Sequence, residues 1–117
     1  MDNSIKFLKQ EKYDLILTHM PNPKVCSSLA YFYSVFCDPT RIKVIIALSI
    51  CEMCDNDLAK LLSINQTTIS HQLKILRGIG VVEATKKNKF TFYKITDKYV
   101  NDTMINGMDY LLSKKAG

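Results

Sequence analysis

Two cysteines three positions apart form the most reactive pair in this sequence. Cys51 and Cys54 stand in a Cys-x-x-Cys arrangement, in a chain that has four cysteines. Two thiolates at this spacing can chelate a thiophilic ion, and a thiolate from Cys26 or Cys37 would complete a trigonal or tetrahedral sulfur-rich site. A dithiol at this spacing also supports oxidation. The pair therefore predicts either ligands for a metal or metalloid ion or a redox couple.

The other two cysteines have simpler explanations. Charged residues interrupt the apolar ones at the N-terminus, so no export signal is visible and we expect an unexported, cytoplasmic chain. Its cysteines are then thiols or ligands rather than structural disulfides. Cys37 lies beside a predicted helix start, where a small apolar residue would serve, and we expect it in the core. Cys26 lies on a helix flank and is equally explained as a ligand or as a space-filling residue.

A second set of polar side chains lies between Gln66 and Gly78, a stretch without any carboxylate. A solvated helix face typically mixes Glu with Lys, whereas this one offers amides, hydroxyls and cations alone. Amides and hydroxyls read base edges in the major groove of DNA, and a cation binds phosphate. We therefore predict a DNA-binding outer face made of Gln66, Thr67, Thr68, Ser70, His71, Gln72 and Lys74.

Two short predicted helices position this face. Asn65 stands where the N-cap of the second helix belongs, and a turn at Ser63 and Ile64 separates the helices. Apolar residues recur at helical spacing on the inner side of each helix, namely Leu58, Leu61 and Leu62, then Ile69, Leu73 and Leu76. The spacing predicts a helix-turn-helix over residues 57–78.

A basic hairpin is predicted after the helix-turn-helix. Residues 81–85 and 90–95 are rich in β-branched and aromatic side chains, which is typical of strands. Lys86, Lys87 and Lys89 surround Asn88 between them, and three lysines at one tip would repel one another without a polyanion nearby. The hairpin is thus predicted to be the wing of a winged helix-turn-helix that contacts phosphates.

Three further helices complete the predicted fold, which is mostly α with a β-hairpin wing. A weak helix or arm occupies residues 1–22, and a winged helix-turn-helix domain with dimerisation helices occupies 23–117. Asp38 and Asp97 are expected to cap helices, and Pro39 is expected at the first helical position. Two helices have apolar faces broad enough to need a partner chain, through Leu29, Phe32, Val100, Met104, Met108 and Leu111.

Composition excludes several classes of protein. The chain has 117 residues, 47% of them hydrophobic, and a net charge of +5, which suits one globular domain with a polyanionic partner. No apolar run is long enough to span a bilayer, so no membrane partner is expected. With two histidines, no glycine-rich phosphate loop and no spaced carboxylate pair, we predict that the chain is not an enzyme. A protein-docking module would be expected to carry aromatic residues on the outer face, which has none.

The chain resembles the ArsR/SmtB family of small winged-helix repressors over about residues 24–112. The likeness rests on SLAYFYSVFCDPTRIKVIIALS (28–49), Met53-Cys54 leading into Asp57-Leu58-Ala59, TTISHQLKILRGIGVV (67–82) and FYKITD (92–97). The resemblance implies a homodimer joined through its first and last long helices, and repression that ends when an effector binds. It also implies contacts from Gln66, Thr67, Ser70 and His71 to bases or nearby phosphates, with Lys74, Lys86, Lys87 and Lys89 on the backbone. Two-fold symmetry then predicts a palindromic operator, with half-sites about one helical turn apart.

The resemblance also implies where an effector ion would bind. Cys54 and Asp57 match the family's Cys-x-x-Asp form of one metal site, although Asn56 replaces the second cysteine of the Cys-x-Cys form. His19 and Cys26 are the nearby candidates for further ligands. The family's second site is predicted to be absent, because only Asp97 matches it, and Tyr99, Tyr110 and Ser113 replace the expected ligands. Zinc, cadmium, lead or arsenite are the expected effectors, with a thiol-redox switch or no effector at all as alternatives.

Overall fold

The computed structural model describes residues 5–116, with side chains described as far as residue 114. Its helices and strands follow in the order α1 (Gln10–His19), α2 (Pro23–Ser34), α3 (Pro39–Ile50), β1 (Met53–Cys54), α4 (Asp55–Leu62), α5 (Gln66–Ile79), β2 (Val82–Lys87), β3 (Phe90–Ile95) and α6 (Lys98–Ala116). A mostly helical chain with one small antiparallel sheet confirms the predicted winged helix-turn-helix. Among the described residues, no helix combines the length and apolar character needed to cross a bilayer.

The chain divides into two compact units, Met1–Tyr33 and Ser34–Gly117. This boundary differs from the predicted division into residues 1–22 and 23–117, of which residues 1–4 and 117 lie outside the described part. In the first unit, no residue of α1 is buried and Lys9 supplies no side-chain cap. Pro23 begins α2 as predicted, and the Val25 N–H donates to Asn22 Oδ1 across 2.9 Å.

The core of the second unit is built from α3, the helix-turn-helix and the sheet. Asp38 caps α3, with its Oδ1 accepting from the Thr40 N–H at 3.4 Å, and Pro39 takes the first helical position as predicted. Leu61 was wrongly predicted to be buried: it is 64% exposed, and Ala59 takes its place in the core. The largest fully buried side chains are Val35, Val44, Ile45, Leu58, Ile69, Leu73, Leu76 and Val82.

Backbone caps separate the two helices of the helix-turn-helix. Ser63 ends α4 in the left-handed region, at φ +55°, and the Ile64 N–H donates to Ala59 O at 3.0 Å. Asn65 caps α5 as predicted, because its Oδ1 accepts from the Thr67 N–H at 2.7 Å. Such a cap satisfies an orphan donor of the first helical turn.

Gly80 ends α5 and turns the chain into the sheet. Its φ is +90°, and the Val81 N–H returns to Leu76 O at 3.0 Å, which is the hydrogen bond of a Schellman motif. Thr96, after the last strand, donates from Oγ1 to Gly80 O at 2.7 Å and lies 3.0 Å from Val81 O. The end of α5 is therefore fastened to the start of α6.

The sheet contains a strand that the sequence did not predict. Strand β1 pairs with the central strand β3, Met53 opposite Tyr93 and Cys54 opposite Phe92, in the order β1-β3-β2. The second hairpin strand has the predicted bounds, whereas the first extends beyond its predicted end at residue 85, so that Lys86 and Lys87 lie in β2 and only Asn88 and Lys89 form the turn. Asn88 has φ +59°, a conformation that Asn tolerates better than most residues.

We expect Gly80→Ala to lower the free energy of unfolding by about 1–2 kcal/mol, because a Cβ disfavours the left-handed conformation. Gly80→Asn is the matched control and should lose less, since Asn tolerates this region of backbone space. Urea denaturation followed by circular dichroism would measure both variants. Equal stability of the alanine variant and the wild type would contradict this explanation of the helix end.

Candidate nucleic-acid interface

The outer face of α5 is exposed along the stretch predicted from the sequence. The inner side of the helix is buried through Ile69, Leu73 and Leu76, which are at most 1% exposed. The opposite side therefore has no contact with the core and faces solvent. Its exposed residues are Gln66, Thr67, Thr68, Ser70, His71 and Lys74, with no carboxylate among them.

Gln72 was wrongly predicted to lie on this outer face. It is 8% exposed, and the Arg41 Nε donates to its Oε1 at 2.9 Å while its own Nε2 donates to Asp38 Oδ2 at 3.0 Å. Both of its side-chain polar atoms are thus bonded to the N-terminal turn of α3. The sequence could have indicated this burial. Gln72 is three residues after Ile69 and four before Leu76, and residues at these spacings lie on the same face of a helix.

The cations of the wing differ in how far they are already paired. Lys87 Nζ lies 2.9 Å from Glu52 Oε1 and 5.2 Å from the centre of the Phe92 ring. Lys94 pairs with Glu83 at 3.2 Å. Within residues 5–116, Lys74, Lys86 and Lys89 form no ion pair and are exposed. No ion pair of these three lysines would therefore have to break before they bind a phosphate.

The cysteines lie in four different environments. Cys54 lies in β1 and is 5% exposed, whereas Cys51 is exposed and its Sγ lies 3.2 Å from Glu52 O. Cys26 is exposed on α2. The prediction that Cys37 belongs to the core is wrong, because it lies exposed in the turn between α2 and α3, with its N–H donating to Ser34 O.

The described residues do not form a metal ligand set within one chain. Asp57 is exposed in the first turn of α4, after the buried Cys54. No three side chains from His, Cys, Asp and Glu in residues 5–116 come together as a group that could hold an ion. A metal ion prefers three or four protein ligands, so the arrangement in one chain does not fit one.

Most of the residues predicted at a dimer interface keep part of their surface exposed. In the first unit, Leu29 is 50% exposed and Phe32 is half-buried. In the second unit, Met108 and Leu111 are 39% and 59% exposed on α6. Val100 belongs to the core, and Met104 is half-buried.

Together, an exposed helix without carboxylates and a basic hairpin beside it define a winged helix-turn-helix of the nucleic-acid-binding class. Residues 38–84 match the family model for the bacterial regulatory proteins of the arsR family. A transcriptional repressor SmtB homolog from Synechocystis sp. is 31% identical over 71% of this chain, which spans 63% of that protein's length. The cadmium resistance regulator CadC from Listeria innocua is 30% identical over 71% of each chain. The chain therefore belongs to the ArsR/SmtB family of transcriptional regulators, which is not a family of enzymes.

Solved structures agree with the fold. The AntR antimony-specific transcriptional repressor has a TM-score of 0.74 at 19% identity and covers 97% of this chain and 100% of its own. A homodimeric winged helix-turn-helix DNA-binding domain from Mycobacterium bovis has a TM-score of 0.67 at 19% identity, over 82% of this chain and 89% of its own. At such identities the likeness concerns the fold alone.

We expect Gln72→Ala to lower the free energy of unfolding by about 1–3 kcal/mol, because it leaves the half-buried polar groups of Arg41 and Asp38 without this partner. Gln66→Ala removes the same side chain from an exposed position of the same helix, where its Nε2 donates a long hydrogen bond of 3.4 Å to Asp55 Oδ2. That control should change stability by no more than about 0.5 kcal/mol. Urea denaturation compares the two variants, and equal effects would mean that the hydrogen bonds of Gln72 do not hold α5.

Proposed function

We propose that this chain is a homodimeric repressor that binds operator DNA with the outer face of α5 and with the wing. The observation that carries the proposal is electrostatic: the exposed face of α5 has no carboxylate, and Lys74, Lys86 and Lys89 hold no ion pair among the described residues. Phosphate contacts supply much of the affinity of such proteins for DNA. A repressor that binds operator DNA is consistent with the cytoplasmic location expected from the sequence.

The proposed contacts divide into two kinds. Amide, hydroxyl and imidazole groups would reach base edges or nearby phosphates, from Gln66, Thr67, Thr68, Ser70 and His71. Lys74, Lys86 and Lys89 would hold the backbone. Lys87 would join them only by leaving Glu52, and since its side chain is 54% exposed, that ion pair is worth no more than about 1 kcal/mol.

Exposed apolar side chains support the proposed homodimer. Leu29 and Phe32 on α2, and Met104, Met108 and Leu111 on α6, give each helix an apolar surface that a second copy would cover. Val100 is not included, because it is already buried. The homodimeric domain from M. bovis shares this fold. Two-fold symmetry would match a palindromic operator with half-sites about one helical turn apart.

We further propose that the effector acts on the thiols of Cys51 and Cys54. The relatives include regulators described as cadmium-resistance and antimony-specific, which favours a thiophilic metal or metalloid ion such as zinc, cadmium, lead or arsenite. Asp57 and Cys26 remain candidates for additional ligands, although one chain does not bring three such groups together. Oxidation of the dithiol is the alternative trigger, and it needs no third ligand.

The position of these thiols would couple them to DNA through the wing. Cys54 lies in β1, which pairs with the central strand β3, and Glu52 holds Lys87 at 2.9 Å. A change in the backbone between Cys51 and Cys54 would therefore move the edge of the wing and the cation attached to it. Such coupling is reciprocal, so DNA would disfavour the effector by the same free energy.

We expect the double variant Ser70→Ala, His71→Ala to lose sequence-specific binding, because two exposed polar groups of the reading face are removed without touching the core. Fluorescence anisotropy on DNA from upstream of the gene would measure affinity, with unrelated DNA as competitor. Sedimentation and circular dichroism should give an unchanged dimer and fold. Lys43→Ala, an exposed residue of α3, is the control. Full specific affinity in the double variant would refute the assignment of α5 as the reading helix.

We expect Cys51→Ser to keep DNA binding but to lose release by the effector. The reduced protein on DNA would be titrated with zinc, cadmium, lead and arsenite, and then with a disulfide-forming oxidant. Wild type should weaken by about 5–150-fold with the active agent, the usual range of allosteric coupling. Cys37→Ser, another exposed cysteine, should respond as wild type does. An unchanged response in Cys51→Ser would move the sensor elsewhere, and no response to any agent in wild type would favour a repressor without an effector.

A further inference from the structure

An open cleft lies between the C-terminal half of α5 and the sheet. Its volume is about 610 Å³, and it is lined by Ser70, Leu73, Lys74, Arg77, Gly78 and Tyr93, a set referred to below as the helix–sheet cleft. Two of its residues, Ser70 and Lys74, already belong to the outer face of α5. The DNA contacts proposed above do not include Arg77, Gly78 or Tyr93.

The chemistry of the helix–sheet cleft suits an anion. Lys74 and Arg77 are exposed, neither forms an ion pair within the described residues, and no carboxylate lines the cleft. The carbonyl end of α5 contributes only about half a negative charge, which two full cations outweigh. A guanidinium also binds phosphate through two parallel hydrogen bonds. Ser70 and Tyr93 add hydroxyl groups that can donate to phosphate oxygens.

Gly78 gives a second, independent indication that the helix–sheet cleft binds a ligand. It lies inside α5, where glycine weakens a helix relative to alanine. Its backbone does not require glycine, because its φ is not positive. Nor does packing require it, because a Cβ built on it meets no atom within 4 Å. The space beside Gly78 is therefore open to something outside the chain that approaches the helix backbone closely.

The position of the cleft favours a DNA strand as the occupant. It continues the outer face of α5 toward the wing, since Lys74 is four residues after Ser70, and Arg77 and Gly78 are three and four residues after Lys74. The cleft is open to solvent along this face, and such a shape suits a continuous backbone better than an enclosed small molecule. DNA lying along α5 would pass over it.

We propose that the helix–sheet cleft binds the sugar-phosphate backbone of the DNA strand beside the recognition helix. Arg77 and Lys74 hold a phosphate, the Tyr93 hydroxyl donates to it, and Gly78 leaves room for the backbone. This inference rests on the proposed function, because it adds contacts to the same DNA complex. The contacts are to the backbone, so they contribute equally to operator and to unrelated DNA.

Arg77→Gln and Gly78→Gln test the proposal on the full chain. Arg77→Gln should weaken binding to operator and unrelated DNA alike, and should reduce the slope of log affinity against log salt by about 0.9 per chain. The matched control is Lys94→Gln, which removes a cation from the neighbouring residue of β3, whose side chain points to the opposite face of the sheet. That control should leave the slope unchanged.

Gly78→Gln should weaken DNA binding at least tenfold, while its urea midpoint equals or exceeds that of wild type. A merely structural role for Gly78 would instead lower the midpoint and leave the affinity of the folded fraction unchanged, which would count against the proposal. Wild-type affinity and salt slope in Arg77→Gln would overturn it. Wild type that fails to bind any DNA at low ionic strength would overturn the proposed function as well. If the Ser70→Ala, His71→Ala variant retains full specific affinity while Arg77→Gln still lowers the affinity and the salt slope, the reading-helix assignment fails, and the cleft stands with Lys74, Arg77 and Tyr93 as its phosphate contacts.

Discussion

The rotation of α5 about its own axis is the constraint on which the rest of the structure depends. Its apolar side is buried, but Ile69, Leu73 and Leu76 alone would tolerate some rolling, because hydrophobic contacts are not directional. The two hydrogen bonds of Gln72, to Arg41 and Asp38, are directional and partly buried. They fix which residues of α5 face outward, and thereby which side chains reach a bound polyanion.

The same hydrogen bonds give the Asp-Pro-Thr-Arg segment a purpose beyond starting a helix. Asp38 caps α3 with one carboxylate oxygen and accepts from Gln72 with the other. Arg41, one turn later, donates to the same glutamine. The start of α3 therefore also holds α5 in place through Gln72. The cap of α3 and the orientation of the outer face of α5 thus depend on one carboxylate, that of Asp38.

The sequence predicted the secondary-structure elements and the outer face of α5 better than it predicted which individual residues are buried. Local signals were reliable because their causes are local: Asn65 caps α5 and Pro39 begins α3 as expected. Leu61 and Cys37 were misjudged because residue type does not report which side of a short helix or turn meets the core. Strand β1 was missed because it has two residues and depends on pairing with β3, a contact that no local periodicity encodes. The polar lining of the helix–sheet cleft was likewise invisible, since Arg77 and Tyr93 are distant in sequence.

Thr96 forms an unusual junction where the sheet leads into α6. Its single hydroxyl lies within hydrogen-bonding distance of two successive carbonyls, Gly80 O at 2.7 Å and Val81 O at 3.0 Å. A hydroxyl has one proton to give, so it can donate fully to only one of them at a time. The backbone N–H of Thr96 also donates to Val81 O, at 3.0 Å. The main chain alone therefore ties this residue to Val81, and the side chain adds the contact to Gly80 O, so the chain just before α6 is held at the end of α5 at two successive carbonyls.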